Sequence, residues 1–228
     1  MKIDAMMLFG SAARGENTSS SDIDILAVTE DDAPFRRSFG AAEMQFLPKS
    51  ELFSMSERGD IFAIHLALEG VVVFDVSGVF SEFKERLCIR ESYEDQRLMS
   101  SELAWFILDM GPVFNNQFLI NKRIAWCIRT MLISKLVERG RFVFSPHGIV
   151  RAFDDADIYT LIELRRSKSI DEGRFAQLRR FIDKYGSPRP SVVGIDEYKE
   201  LFLKSKNNVA LSTISALFKD DANVVEYS

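Results

Sequence analysis

Cysteine and histidine are nearly missing from this chain, two of each in 228 residues. Cys88 and Cys127 lie far apart and form no CxxC pair, so neither a disulfide framework nor a zinc site is supported, and both thiols are expected to be reduced core residues. No apolar run approaches the ~18 residues of a membrane span, so no membrane association is expected. The opening residues, MKIDAMM, lack the charge-then-apolar layout of a secretory leader, and a cytoplasmic protein is expected. Surplus positive charge is lacking too: the formal net charge is −5. Residues 1–78 hold 6 Lys and Arg against 13 Asp and Glu, which leaves 23 against 21 for residues 79–228. A free nucleic-acid binder carries a stronger basic stripe, whereas the acidic front part concentrates carboxylates as a metal site would. Internal repeats and low-complexity segments are absent.

What is present is a globular composition, 46% hydrophobic and 28% charged, whose pattern changes once along the chain. Strands are expected at AMMLF (5–9), DIDILAV (22–28), AEMQFL (42–47) and VVVFD (71–75), with the TEDDAP stretch as a loop. SELFSMSERG and DIFAIHLALEG read as helices that stop at glycine. Past Gly78 apolar residues recur every three or four positions, and the remainder is expected to be helical. EDQRLMSSELAWFILDM stops at Gly111-Pro112, Ser145-Pro146 reads as a helix start, Ser169 and Glu172 have capping-box spacing, and a last helix is expected from Asp196 to Phe218. The expected architecture is a small α/β domain, a mixed sheet with flanking helices over residues 1–78, followed by an all-α helical bundle over 79–228.

The chemistry concentrates in LFGSAARGENTSSSDIDILAV, residues 8–28. Asp22 and Asp24 are two apart on an expected strand, so both carboxylates leave the same face, about 6–7 Å apart along the backbone. Like charges at that spacing are stable together when a hard cation joins them, and Mg²⁺ takes one or two carboxylates plus phosphate oxygens and water. Glu43 on the third expected strand is placed to supply a further carboxylate, with Gln45 on the same face. Gly10 lets the backbone approach a polyphosphate, the Ser11 hydroxyl and the amides through Ala12 and Ala13 can donate to phosphate oxygens, and Arg14 stands one turn further on.

The string G-S-x2-R-G-x6-D-x-D, realised as Gly10, Ser11, Arg14, Gly15, Asp22 and Asp24, resembles the signature of the polymerase-β-type nucleotidyltransferase superfamily, in the form of its small prokaryotic, minimal and aminoglycoside-type members. The resemblance extends through Asp75; the helical remainder offers no comparable match. It implies a transferase in which Gly10, Ser11 and Arg14 bind the NTP, and Asp22, Asp24 and Glu43 hold two Mg²⁺ and form the catalytic set. An acceptor hydroxyl would attack the α-phosphorus and release pyrophosphate. The family's third acid is more often aspartate, so Glu43 departs from the pattern. Three acceptors stay open: a small molecule such as an aminoglycoside antibiotic, a protein such as a partner toxin, and, ranked last, an RNA end. The competing reading is a non-catalytic antitoxin or scaffold that keeps the fold.

Other residues have plainer readings. His65 and Glu69, four apart on an expected helix, suit an orienting contact at the helix end. Arg141 and His147 match the spacing of the R-x4-6-H motif of HEPN-type ribonucleases, but Pro146 and a loop-like stretch intervene. Trp105 and Trp126 belong to packing, the basic runs RRSK and LRR (165 to 180) to a solvated helix face, and Arg123 and Arg129 to salt bridges.

Overall fold

The computed structural model describes residues 2–17, 21–31 and 33–225, with side chains described through Lys219. It divides into two compact units, Met1–Glu91 and Ser92–Ser228.

The first unit is built on strands β1 (Ile3–Phe9), β2 (Ile23–Thr29), β3 (Phe35–Phe39), β4 (Ala42–Pro48) and β5 (Val71–Asp75), in the spatial order β3-β4-β2-β1-β5. β1 is antiparallel to β2 and β5, β3 is antiparallel to β4, and β2 and β4 are parallel, which makes the sheet mixed as expected. Helices α1 (Gly10–Ala13), α2 (Lys49–Glu57), α3 (Ile61–Glu69) and α4 (Val79–Glu85) complete the unit. One face of the sheet, carrying Ala5, Met7, Leu26, Val28 and Leu47, is buried against Leu52 and Phe53 of α2, Ala63, Leu66 and Ala67 of α3, and Val79, Phe80 and Phe83 of α4. Helix α4 lies beyond the boundary drawn at residue 78 from the sequence, yet its apolar side belongs to this core. Asp75, at the end of β5, ties α4 down: its two carboxylate oxygens accept from the amides of Val79 and Phe80, both at 2.9 Å.

Strand β3 lies in a stretch where no strand is expected from the sequence, because Arg36 and Arg37 break the apolar alternation there. It forms by pairing with β4 across the turn at Gly40, whose φ of +60° favours glycine. Phe35 stacks on Phe46 of β4 at 4.4 Å. At a sheet edge the two arginines are useful, since charge discourages pairing with a further strand.

The second unit is helical, as expected: α5 (Glu94–Met110), α6 (Gln117–Val137), α7 (Pro146–Phe153), α8 (Ala156–Glu163), α9 (Glu172–Tyr185), α10 (Ile195–Lys204) and α11 (Asn208–Val225), with short 3-10 turns at Gly111–Val113 and Leu164–Arg166. Ser145 caps α7 by accepting from the Gly148 amide. The cap of α9 is Asp171, which accepts from the Arg174 amide at 2.8 Å, in place of the Ser169 and Glu172 pair expected from spacing. The single last helix expected from the sequence is two helices, broken at Ser205–Asn207 where Lys206 takes φ +53°. Cys127 is core, and burial raises its thiol pKa; Cys88 is exposed, contrary to expectation. No helix among the described residues is long and apolar enough to cross a membrane.

The break between α10 and α11 is fastened to a buried carboxyl. The Ser205 hydroxyl donates to Glu102 of α5 at 2.9 Å, and Asn207 donates to the Met99 carbonyl at 2.8 Å. Burial raises the Glu102 pKa, and the hydrogen bonds from Ser205 and Asn207 only partly offset it. A carboxyl whose folded pKa lies above its unfolded value stabilises fully below the unfolded value, about 4.3, and loses that contribution as pH rises through the folded value. Glu102→Gln, which keeps an acceptor without the charge, is therefore expected to raise stability near pH 7.5 by about 1 kcal/mol, with a smaller gain at pH 4.5. Urea unfolding of both proteins at the two pH values measures the difference.

Candidate active site

Strand β1 ends at Phe9, and the chain turns at once through Gly10, with φ +70°, into α1. The partner of Phe9 on β2 is Asp24, whose own partner on the parallel strand β4 is Glu43, which in turn faces Ser38 of β3. Direct partners point to the same side of a sheet, so Phe9, Asp24, Glu43 and Ser38 form one row across it. This is the face whose next rows, through Met7 and Leu26 and then Ala5, Val28 and Leu47, make the buried core. The two carboxylates stand in the last row of this face, Asp24 half-buried and Glu43 exposed, with Phe9 beside Asp24 and Gln45 one row inward beside Leu26.

The strand begins one residue later than the sequence suggests, at Ile23, whose amide donates to the Ala41 carbonyl at 2.8 Å; Asp22 stands just ahead of it, exposed. Asp24 leans over the turn. A Cβ built on Gly10 would lie 2.5 Å from Asp24 Oδ2, closer than side chains approach, so only glycine lets this carboxylate sit against the backbone of residue 10. The turn is short: the amides of Gly15 and Glu16 donate back to the carbonyls of Ala12 and Ser11 at 3.2 and 2.9 Å. Phe9 holds the position ahead of the turn and supplies no side-chain cap to it. Thr18, Ser19 and Ser20 fall outside the described residues.

Arg14 does not project freely from the turn. Its Nε donates to Glu16 and one terminal nitrogen donates to Glu69 at the end of α3, both at 2.7 Å. His65, one turn earlier on α3, places Nε2 3.1 Å from the same Glu69 oxygen, the helix-end contact its spacing suggested. Burial works to raise the Glu69 pKa, but the hydrogen bonds from His65 and Arg14 and the charge of Arg14 outweigh it and hold the carboxylate below the usual range. The reciprocal effect lifts Arg14: burial opposes its charge, and Glu16 and Glu69 more than compensate. Sequence reasoning missed Glu69 as Arg14's partner, because nothing links residues 55 positions apart.

The donors expected to hold metal are thus brought to one end of the sheet, Asp24 beside Gly10 and Glu43 beside Asp24 in register. They are not gathered tightly: among the described residues, no group of three or more His, Cys, Asp or Glu side chains converges as a ready-made metal cage. An all-oxygen pair at Asp22 and Asp24, with phosphate and water completing the shell, still fits the chemistry of a hard divalent ion that dehydrates reluctantly.

Elsewhere the plainer readings hold only in part, since Arg174, within residues 165–180, is buried and donates to the Thr160 and Leu161 carbonyls. Trp105 is buried and donates to the Ser187 carbonyl, Arg179 and Arg180 pair with Asp183 and Asp157, and Arg129 donates to the Phe144 carbonyl. Arg141 precedes α7, and His147 lies within it behind the Ser145 cap, so the two are not on one helix.

The first unit thus has a mixed sheet with helices packed on one face, and at one end of it the Gly-Ser turn meets Asp24. Residues 2–103 match the model of the nucleotidyltransferase domain family, which supports the polymerase-β-type superfamily for this stretch and suggests a transferase. No curated protein matches the chain. Among solved structures it is similar to a nucleotidyltransferase-like protein from Exiguobacterium sibiricum 255-15, at 15% identity and a TM-score of 0.32, over 80% of this chain and 68% of that one.

Proposed function

We propose that this protein moves a nucleoside monophosphate from an NTP to a hydroxyl of an acceptor molecule, with Asp22, Asp24 and Glu43 as the catalytic and metal-holding carboxylates and Gly10, Ser11 and Arg14 as the nucleotide site. The approach of Asp24 to the α-carbon of Gly10 carries the reading, because it sets a carboxylate and a phosphate turn side by side. The Ser11 hydroxyl and the amides of the turn donate to phosphate oxygens, and Arg14 adds positive charge one turn on. Bound Mg²⁺, one ion or the two that Glu43 would help to hold, supplies Lewis-acid polarisation of the phosphoryl oxygens. The acceptor oxygen forms a bond to the α-phosphorus, the bond from that phosphorus to the α–β bridging oxygen breaks, and pyrophosphate leaves. The acceptor's proton passes to a carboxylate, for which Glu43, in register beside Asp24, is the candidate.

The excess of acid over base in residues 1–78 suits a polycationic small acceptor such as an aminoglycoside, which would make the protein an antibiotic-resistance factor. A protein hydroxyl, as on a partner toxin, ranks level with it, and RNA comes last. Incubation with each α-labelled NTP, Mg²⁺ and a cell extract is expected to label one acceptor class, and Asp22→Asn combined with Asp24→Asn to abolish the label. Absence of label, together with no heat on titrating Mg²⁺-NTP, would instead favour an antitoxin or scaffold.

A further inference from the structure

We propose that Glu69 is a positioning residue of the nucleotide site, which through Arg14 locks the Gly10–Ala13 turn to the end of α3 so that the turn meets a triphosphate already formed. The inference rests on the reading of that turn as the nucleotide site. Glycines with left-handed backbone flank the turn, Gly10 at φ +70° and Gly15 at φ +68°. Such a segment has many conformations to lose on binding a ligand, and a contact that orders it beforehand removes that cost from binding. Helix α3 makes this contact on both sides of the turn. On the leading side, Phe9 packs edgewise against Phe62 at 5.4 Å and His65 at 6.1 Å between ring centres. On the trailing side, Arg14 is held by Glu69 at 2.7 Å, and Glu69 is braced by His65 at 3.1 Å.

The end of α3 is itself fixed to the sheet. A Cβ on Gly70 would lie 2.7 Å from Met7 Sδ, so the chain leaves the helix in close contact with β1, two residues before Phe9. The side chains of Arg14 and Glu69 are 15% and 19% exposed, which spares their ion pair most of the solvent screening that weakens surface pairs. Glu16, 42% exposed and within the same loop, cannot fasten the turn to another element, so Glu69 is the anchor.

The test uses the full chain as wild type, Glu69→Gln, Arg14→Gln and the double variant, with Arg14→Lys as a substitute should either Gln variant fail to fold. Titration of Mg²⁺ with ATP, GTP, CTP or UTP is expected to show about tenfold weaker binding for Glu69→Gln, and a double variant no weaker than Arg14→Gln alone, since Glu69 acts through Arg14. Without nucleotide, hydrogen exchange at the Gly15 and Glu16 amides is expected to quicken about tenfold in each single variant while the amides of β1 and β2 keep their protection. Unchanged exchange at those two amides, or effects of the two substitutions that add, would overturn the lock. A wild type that binds none of the four nucleotides would sink the proposed function, and the exchange data would still decide whether Glu69 fastens the turn.

Discussion

Replacing Asp24 with Asn is expected to lower nucleotide transfer about 1000-fold, the loss that follows when a divalent ion's several kcal/mol of charge stabilisation is no longer anchored. Asn has the same shape as Asp and half the acceptor capacity, so it fills the space beside Gly10 without presenting a carboxylate there. The folded state should change little, by about 1 kcal/mol or less, because Asp24 lies in the last row of the sheet, outside the apolar cluster. Pyrophosphate release with the acceptor found by labelling measures the first quantity, and thermal unfolding without metal the second. Full activity in Asp24→Asn would remove this carboxylate from the chemistry.

Gly10→Ala is expected to damage both the fold and the site. The left-handed backbone at φ +70° costs a residue with a Cβ about 1–2 kcal/mol, and the new carbon would then meet Asp24 Oδ2. Gly15→Ala serves as the control: it has nearly the same φ, +68°, but its Cβ would have no heavy atom within 4 Å. Both variants should lose stability to backbone strain, by about 2–4 °C in Tm per kcal/mol. Only Gly10→Ala should also displace Asp24 and lose more than about tenfold in turnover. Equal activity in the two variants would show that the approach of Asp24 to residue 10 has no role in catalysis.

Short-range features of this protein could be read from its residues, and features that depend on distant partners could not. The Gly-Ser turn, the two aspartates and the strands bearing them are marked by spacing within one 21-residue stretch, and helix α5 ends where Gly111-Pro112 stops it. Strand β3 was hidden because arginines at 36 and 37 look like loop until β4 supplies a partner and Phe46 a stacking surface. The interruption at Lys206 was hidden because no glycine or proline marks it; Ser205 and Asn207 are held there by groups on α5 about a hundred residues earlier. At the site, alternation along β4 placed Glu43 and Gln45 on one side, but only the parallel register shows that Glu43, and not Gln45, stands next to Asp24. The ion pair of Arg14 with Glu69 was hidden because its carboxylate partner on α3 is remote in sequence.

Strand β4 is gripped from both sides: Phe46 lies against Phe35 on one face, and Leu47 is sunk in the core on the other. Sliding this strand by a single residue would turn Met44 to the side that carries Asp24, pull Leu47 out of the core and move Gln45 to the side of Phe35. The register at position 43 is therefore held by packing, and in the proposed site the distance its carboxylate would span toward an acceptor hydroxyl is set by the number of methylenes it carries. Should Glu43 take the acceptor's proton as proposed, its one extra carbon relative to aspartate would suit an acceptor whose oxygen arrives correspondingly farther from the strand.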